Sequence, residues 1–495
     1  MKAKTLKKYK IALLSIFLVA CTGDFEEVNK NPNNPIVATP NLLLTGVERD
    51  MMTEVINDAW SIGNIVIQQT AKNQFVNEDR YLWGEINRIW NAVYDNMRDV
   101  NNILIRAQET AQPNYTGVAL VLKSWMFSLV TDCYGDVPYS EASQGKTGML
   151  FPKYDTQEEI YNGILADLSE ANTLLNGAIN VTGDLIYGGD VKKWRKLANS
   201  LRLRYLMRIS DRRDVSADMK AILNDPVGNP IFESNAEHGV YSYLASSPNQ
   251  FPLFTSRIGS FNEFRASKTM VDYLQGLSDP RLYIFFRPTP ATEETPSTAD
   301  DKYDGIPNGL DDVVAQTYNG GQQYQARIGP LFYESSNSTK GIQVAKGVIM
   351  TYAELQFVLA EAREKGIIDV GTAETYYMNG INASFNYYGA TPDAAYFTQP
   401  KVVYSGSASE KLEKIGNQKW AASYFQGLEP WFDWRRTGYP KILPSVDNQN
   451  DDRIPVRYIY PRIEQSLNSP NRDAAVARQG ADDINTRVWW DVNPN

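Results

Sequence analysis

The chain of 495 residues carries 49 Lys and Arg against 58 Asp and Glu, a formal charge of −9, with one histidine and two cysteines. An acidic chain without a long Lys/Arg run lacks the field that attracts nucleic acid, so no nucleic-acid partner is expected. A single histidine excludes multi-histidine zinc sites, and the length suffices to bury a core without disulfides.

The first ten residues hold five lysines and no acid, and an apolar run follows from Ile11 to Ala20. That is the layout of a secretory signal, and the run is shorter than the roughly 20 apolar residues a membrane-spanning helix needs. It ends at Leu18-Val19-Ala20-Cys21, which resembles a bacterial lipobox: residues 1–20 are removed and Cys21 is lipidated. Losing five lysines and no acids takes the charge from −9 to −14. With Cys21 acylated, Cys133 has no partner in the chain; among Leu129, Val130 and Tyr134 it reads as a buried, inert thiol. No later stretch is long and apolar enough to span a bilayer, so the expected state is anchored to the outer membrane, not embedded in it. Residues 21–40, rich in Asn and Pro, read as a flexible tether. Asp24, Glu26 and Glu27 resemble the acidic signal that sends some lipoproteins to the cell surface.

Helical periodicity dominates the next part. Over 88–106, Ile89, Val93, Met97, Val100 and Leu104 fall on one stripe. Helices are also expected over 118–133 and 190–210. Residues 156–175 open with a capping box, Thr156 and Glu159, and carry Ile160, Ile164, Leu168, Ala171 and Leu175 on one face. Residues 351–365 repeat the design with Thr351 and Glu354, and further helices are expected over 372–387 and 411–427. Paired helices with Ala-rich inner faces resemble tetratricopeptide hairpins, although no strict 34-residue period is visible. The expected class is mostly α: one domain over 41–495, with a helical scaffold over about 41–210 and 345–440. A loop-rich insertion over 211–344, plainly loop from 288 to 322, separates its halves, and a loop-rich segment over 441–495 follows. Trp90, Tyr94 and Trp125 sit in helical periodicity and read as core; Trp489-Trp490 read as a pin for the tail.

Catalytic constellations are scarce. The lone histidine, His238, is the only base through which a Ser-His-Asp triad could form. There is no Walker A sequence, GxGxxG or HExxH. Two calcium-loop look-alikes fail: Lys302 stands at the third position of Asp300–Gly305, and Asp447–Asp452 lacks the glycine at its sixth. No cofactor is expected, with structural calcium on acids and carbonyls left open. Aromatic clusters in polar loops are more informative. Phe75, Tyr81 and Trp83 are interleaved with Asn77, Glu78 and Arg80; Tyr303, Tyr318, Tyr324, Phe332 and Tyr333 occur with Asn319, Gln322, Gln323 and Arg327. Flat rings with polar edges suit sugar rings, whose hydroxyls amides and guanidinium groups can hydrogen-bond. The candidate glycan contacts are Phe75, Asn77, Arg80, Tyr81, Trp83, Tyr303, Tyr318, Gln323 and Tyr324. The alternative for each ring is a cap on the core.

Several segments, in order, resemble the SusD/RagB family, in its SusD-like branch. They are Val28–Pro35 with Asn41–Leu44; Trp90 with Tyr94; Asp132–Tyr139; Trp194 through Ser210; Asp279-Pro280-Arg281; Thr351–Glu354 with Ala360–Ala362; Trp431–Gly438; and Arg453–Tyr458 with Tyr460-Pro461. The resemblance implies a non-catalytic surface lipoprotein that captures oligosaccharide and passes it to a SusC-like, TonB-dependent transporter. In this family the tetratricopeptide face contacts the barrel, and an early loop and the central insertion build the binding face. A peptide-capturing RagB-type lipoprotein, a lipid-anchored glycoside hydrolase using two of the many carboxylates, and a repeat scaffold without a small ligand are the rival readings.

Overall fold

In the computed structural model, residues 38–493 are described, apart from 178, 245–248, 257–259, 294–299 and 330–345. The signal segment, Cys21 and most of the tether lie outside the described residues, as do Phe332 and Tyr333. Among the described residues no helix is long and apolar enough to cross a membrane.

Helices form where apolar residues recur at helical spacing and a polar side chain closes the first turn. Helix α1 spans Pro40–Asp58 and runs on through a π-helical turn at Ala59–Gly63. Helix α2, Arg88–Glu109, buries Ile89, Val93, Met97 and Val100; the stripe then shifts to Ile103, with Leu104 only half-buried. Helix α3, Pro113–Tyr134, starts earlier than its periodicity suggests, because Pro113 fits the first turn, where its missing N–H has no helical partner to lose. It is buried almost all round, Trp125 and Cys133 included. Helix α4, Gln157–Leu174, has the full capping box: Glu159 N donates to Thr156 Oγ1 (3.3 Å), and Thr156 N to Glu159 Oε2 (2.8 Å). Asp190 caps α5, Val191–Arg208, accepting from Lys192 N at 3.0 Å.

The insertion holds helices α6, Ser216–Leu223, and α7, Lys268–Gly276. Helix α8, Tyr352–Glu364, is capped by Thr351, but only half of the expected box forms. The Glu354 carboxylate instead takes Arg204 Nε at 2.6 Å, because both charges are buried and neither has a better partner. Helix α9 is Ala373–Tyr388 and α10 is Ala408–Ala422. The helix expected over 411–427 therefore begins and ends early. A Ser407–Glu410 capping box starts α10; left-handed Phe425 and Gly427 (φ 59° and 74°) break the chain before α11, Glu429–Thr437. Two segments expected as loop carry helices: Asp312–Thr317, capped by Asp311, and α12, Ser469–Gln479.

Each of α1 to α5 packs on its successor, and α8, flanked by α9 and α10, packs back on α5. The scaffold is thus continuous in space although the insertion interrupts it in sequence. The strands are short and paired in twos, all antiparallel. They are β1 Thr70–Lys72, β2 Val137–Pro138, β3 Tyr154–Asp155, β4 Gly239–Ser242, β5 Phe264–Ala266, β6 Phe286–Arg287, β7 Arg327–Ile328 and β8 Lys346–Met350. The pairs are β1–β5, β2–β3, β4–β8 and β6–β7. Pairing of β4 with β8 brings the stretch before the insertion's loops back beside the strand that re-enters the scaffold at α8.

Several buried charges inside the scaffold are paired. Arg436 forks onto Glu361 at 2.5 Å and also reaches Asp433, which Lys419 contacts at 2.8 Å. Asp132 accepts from Tyr161 Oη and from Trp490 Nε1 at 2.7 and 2.6 Å, so the C-terminal tryptophan does pin the tail. The Trp431–Gly438 stretch is a core element: Pro430 through Arg436 are all buried.

Candidate functional site

Three loops meet at one seam: the early loop after α1, the insertion, and residues 443–452. The first joins the second through β1–β5. Asn308 ties the knot. Its Nδ2 donates to Thr70 O (2.8 Å) and Asp79 Oδ1 (2.7 Å), and its Oδ1 accepts from Ser267 Oγ (2.6 Å). Asn73 Nδ2 reaches Gln325 Oε1 at 3.1 Å, and Val76 packs with Leu310, Ala315 and Tyr318. The third loop docks by main-chain bonds from Val446 N to Asn308 O (2.9 Å) and from Gln449 N to Arg80 O (2.7 Å). Asp79 is buried within this knot, and burial pushes its carboxyl up to about 7 despite the donors around it.

The seam sorts the candidate rings. Tyr81 is 1% exposed, and its hydroxyl accepts from Ser445 N at 3.1 Å. Burial pushes that phenol up to about 12. Trp83 is half-buried, edge-on to Trp431 and Tyr458, with Nε1 donating to Glu78 O at 3.0 Å. Tyr303 is 7% exposed and supports Tyr283 edge-on at 5.4 Å. These three rings belong to the core, and a bound sugar could not stack on Tyr81 or Tyr303 without displacing it.

Other candidates face outward. Phe75 is 67% exposed and Tyr324 42%, while Tyr318 is half-buried on the Val76 cluster. Asn77 and Gln323 are exposed, with Gln323 Nε2 held by Gly320 O at 3.1 Å. Arg80 is half-buried and donates from Nε to Asp447 O at 2.9 Å. Phe75 and Tyr81 both adopt left-handed backbone, φ 51° and 61°, which costs a non-glycine residue about 1–2 kcal/mol. Burial of the ring offsets that cost at Tyr81. At Phe75 the ring is exposed, so its burial does not offset the cost. Sequence reasoning missed Tyr283, 64% exposed on the same insertion; its signal was a tyrosine just after Asp279-Pro280-Arg281, where the Arg281–Asp279 pair is fully buried and fixes the turn.

The charges under these loops are structural. Lys72 lies between Glu78 (3.0 Å) and Glu263 (3.8 Å), and Glu293 Oε1 takes Arg287 at 2.7 Å while its other oxygen takes Arg327. Burial and the nearby Arg327 push Arg265 down to about 10; it donates to the Phe264 carbonyl at 2.9 Å. His238 stands elsewhere, edge-on to Tyr387 at 5.5 Å, and is pushed down to about 4 by burial and by Lys346 and Lys193. Burial likewise drives the Cys133 thiol well up. No group of three His, Cys, Asp or Glu that could hold a metal ion occurs among the described residues.

The arrangement, open rings and amides on loops braced by a rigid scaffold, suits recognition of a flat, polyhydroxylated ligand. Comparison with known proteins agrees in class. Residues 32–461 match the SusD-like family described as starch-binding, associating with outer membrane. A chitin-binding protein of known structure is 30% identical, with TM-score 0.77, over 92% of this chain and all (100%) of that one. Two SusD homologues from Bacteroides fragilis NCTC 9343 are 27% and 29% identical, with TM-scores 0.80 and 0.76; each alignment covers 92% of this chain and 100% and 99% of theirs. No curated protein matches the chain. The chain belongs to the SusD-like family of outer-membrane-associated nutrient-binding proteins.

Proposed function

We propose that this protein is a lipid-anchored surface glycan-binding protein that captures oligosaccharide and delivers it to a SusC-like, TonB-dependent transporter. The observation that carries the reading is Phe75: a large exposed ring at a left-handed backbone position, on a loop that Asn73, Val76 and Asp79 lock onto the insertion. With Tyr324 and Tyr318 across the same seam it forms a platform for pyranose C–H faces. Asn77, Gln323 and Arg80 supply the donors and acceptors for hydroxyl groups. An open platform suits a segment of polymer better than an enclosed pocket would, because the chain can leave at both ends. Cys21 is the proposed lipid site, and residues 22–40 give the reach to sit over a transporter. The chitin-binding relative makes β-linked N-acetylglucosamine polymers the first ligand to try. Affinity electrophoresis in gels with soluble chitin derivatives, starch and xylan tests the reading. Wild type should be retarded by at least one polymer and Phe75→Ala/Tyr324→Ala distinctly less by that polymer; equal migration of both proteins in every gel refutes it.

A further inference from the structure

Tyr283 stands apart from the Phe75 platform, on the short helix Leu282–Phe285 of the insertion, and is 64% exposed. A single ring open to water is common on a protein surface, but this one is braced. Arg281, the residue before it, forks onto Asp279 at 2.7 and 3.0 Å, and that pair is fully buried. Tyr303 meets the Tyr283 ring edge-on at 5.4 Å, and the Tyr303 carbonyl accepts from Gln275 Nε2 at 3.0 Å. The ring is therefore in place before any ligand arrives, and little side-chain freedom is lost when one binds.

A polar path joins Tyr283 to the platform. Along α7, Lys268, Asp272 and Gln275 recur at helical spacing on one face, and all three are exposed. Lys268 Nζ pairs with Asp272 at 2.7 Å. The bond to Asp272 holds that ammonium above its ordinary range, and Asp304 and Tyr318 act in the same sense, so both lie beside the first turn of α7. A bond from Lys268 N to Ile306 O at 2.8 Å clamps the 304–306 stretch against the same turn. Tyr318 belongs to the platform, and Gln275 is bonded to Tyr303, the ring that supports Tyr283. From Lys268 to Gln275 the helix rises about 10 Å, so the two ring sites stand further apart than one sugar ring spans. One lysine faces two carboxylates on this path. It offers donors and acceptors for hydroxyl groups without a field that would draw an acidic polymer.

We infer that Tyr283 is a distal ring subsite, engaged by neutral oligosaccharides long enough to run from the Phe75–Tyr324 platform along the exposed face of α7. The inference rests on the platform reading for its ligand class and adds to it a preference for chain length. A short sugar held on the platform does not reach Tyr283. A longer one does, and its second contact is intramolecular once the first is made, which is the gain of linked sites.

Isothermal titration of the purified full chain with chitotriose and chitohexaose, and with malto- and xylo-oligosaccharides of the same two lengths, tests it. In at least one series the longer sugar should bind on the order of tenfold more tightly than the shorter. Tyr283→Ala should bring the two lengths to within about threefold of each other by weakening the longer alone, at unchanged melting temperature. Tyr283→Phe, which keeps the ring face, should retain most of the difference. Phe75→Ala/Tyr324→Ala should weaken both lengths. Equal affinity for the two lengths in wild type, a length ratio unchanged in Tyr283→Ala, or equal weakening of both lengths in that variant overturns the inference and leaves the platform standing. If neither length responds to Phe75→Ala/Tyr324→Ala, the platform reading falls and the inference with it; no binding by any sugar also overturns both.

Discussion

The helical scaffold and the loops that carry the rings use the same residue types in opposite ways. In the scaffold, aromatic and charged side chains satisfy one another: Arg435 lies over Trp431, Phe432 and Trp490, and Asp132 serves Tyr161 and Trp490. In the seam, half of the rings do this and the rest face solvent. Tyr81 and Phe75 are six residues apart with nearly the same backbone conformation, yet one is core and the other is surface. The difference shows that composition marks a loop as special but does not say which ring in it is available to a ligand. What decides is what the rest of the fold lays on each ring: Ser445 of the third loop closes on Tyr81, whereas Phe75 stays 67% exposed.

The contrast can be broken by mutation, and the largest effects belong to the scaffold. Glu354→Ala strips a buried guanidinium, Arg204, of its counter-charge and should cost about 3–5 kcal/mol in denaturant unfolding, with ligand affinity of the folded protein unchanged. Tyr81→Ala deletes a fully buried ring and should cost about 3–5 kcal/mol as well. Any affinity lost in Tyr81→Ala should be recovered under conditions that restore its fold, such as lower temperature. If instead the variant unfolds like wild type but no longer binds, Tyr81 is a ligand contact and the division drawn at the seam is wrong.

A pH experiment probes the scaffold more gently. Asp58 is buried beside Tyr458, whose hydroxyl donates to it at 2.8 Å, and burial pushes its carboxyl from 3.8 up to about 6. The native state therefore keeps a proton that the unfolded chain releases. Its stabilising share is complete below about pH 4 and is lost as pH rises through about 6. Asp58→Asn retains an oxygen for the tyrosine and does not ionise. Its stability relative to wild type should climb from near zero at about pH 4 to on the order of 3 kcal/mol by about pH 7. A pH-independent difference contradicts the assignment. A smaller change is expected in the loop. Phe75→Gly relieves a left-handed backbone and should raise stability by about 1 kcal/mol while weakening binding, an exchange of function for stability that Ala, with its Cβ, should not show.

How far the sequence foretold this molecule follows from the same contrast. Apolar spacing located α2, α4, α5, α8 and α9 to within a few residues, because packing in those helices is periodic and their caps, such as Thr156 and Asp190, are local. Where a long-range partner intervened, the reading slipped. Glu354 left its capping box for Arg204, 150 positions away, and the break between α10 and α11 depends on left-handed residues that a periodic pattern hides. The mostly helical class and the SusD-like resemblance, drawn from motifs such as Trp431–Gly438, hold; those motifs turned out to be buried core. The early loop and insertion do meet, through β1–β5, a pairing across nearly 200 residues that no local signal records. Within them Tyr81 and Tyr303 are enclosed, and Tyr283 went unnoticed, since exposure of one ring rests on which other ring supports it.

The central claim is that Phe75 and Tyr324 form an open platform for sugar. Its most direct measurement is the affinity of the single variants Phe75→Ala and Tyr324→Ala for a retained oligosaccharide, with unfolding followed on the same samples. Each substitution should weaken binding on the order of tenfold, the loss of about 1–2 kcal/mol of ring contact, while stability stays within about 0.5 kcal/mol of wild type. Wild-type affinity in both variants would contradict the account.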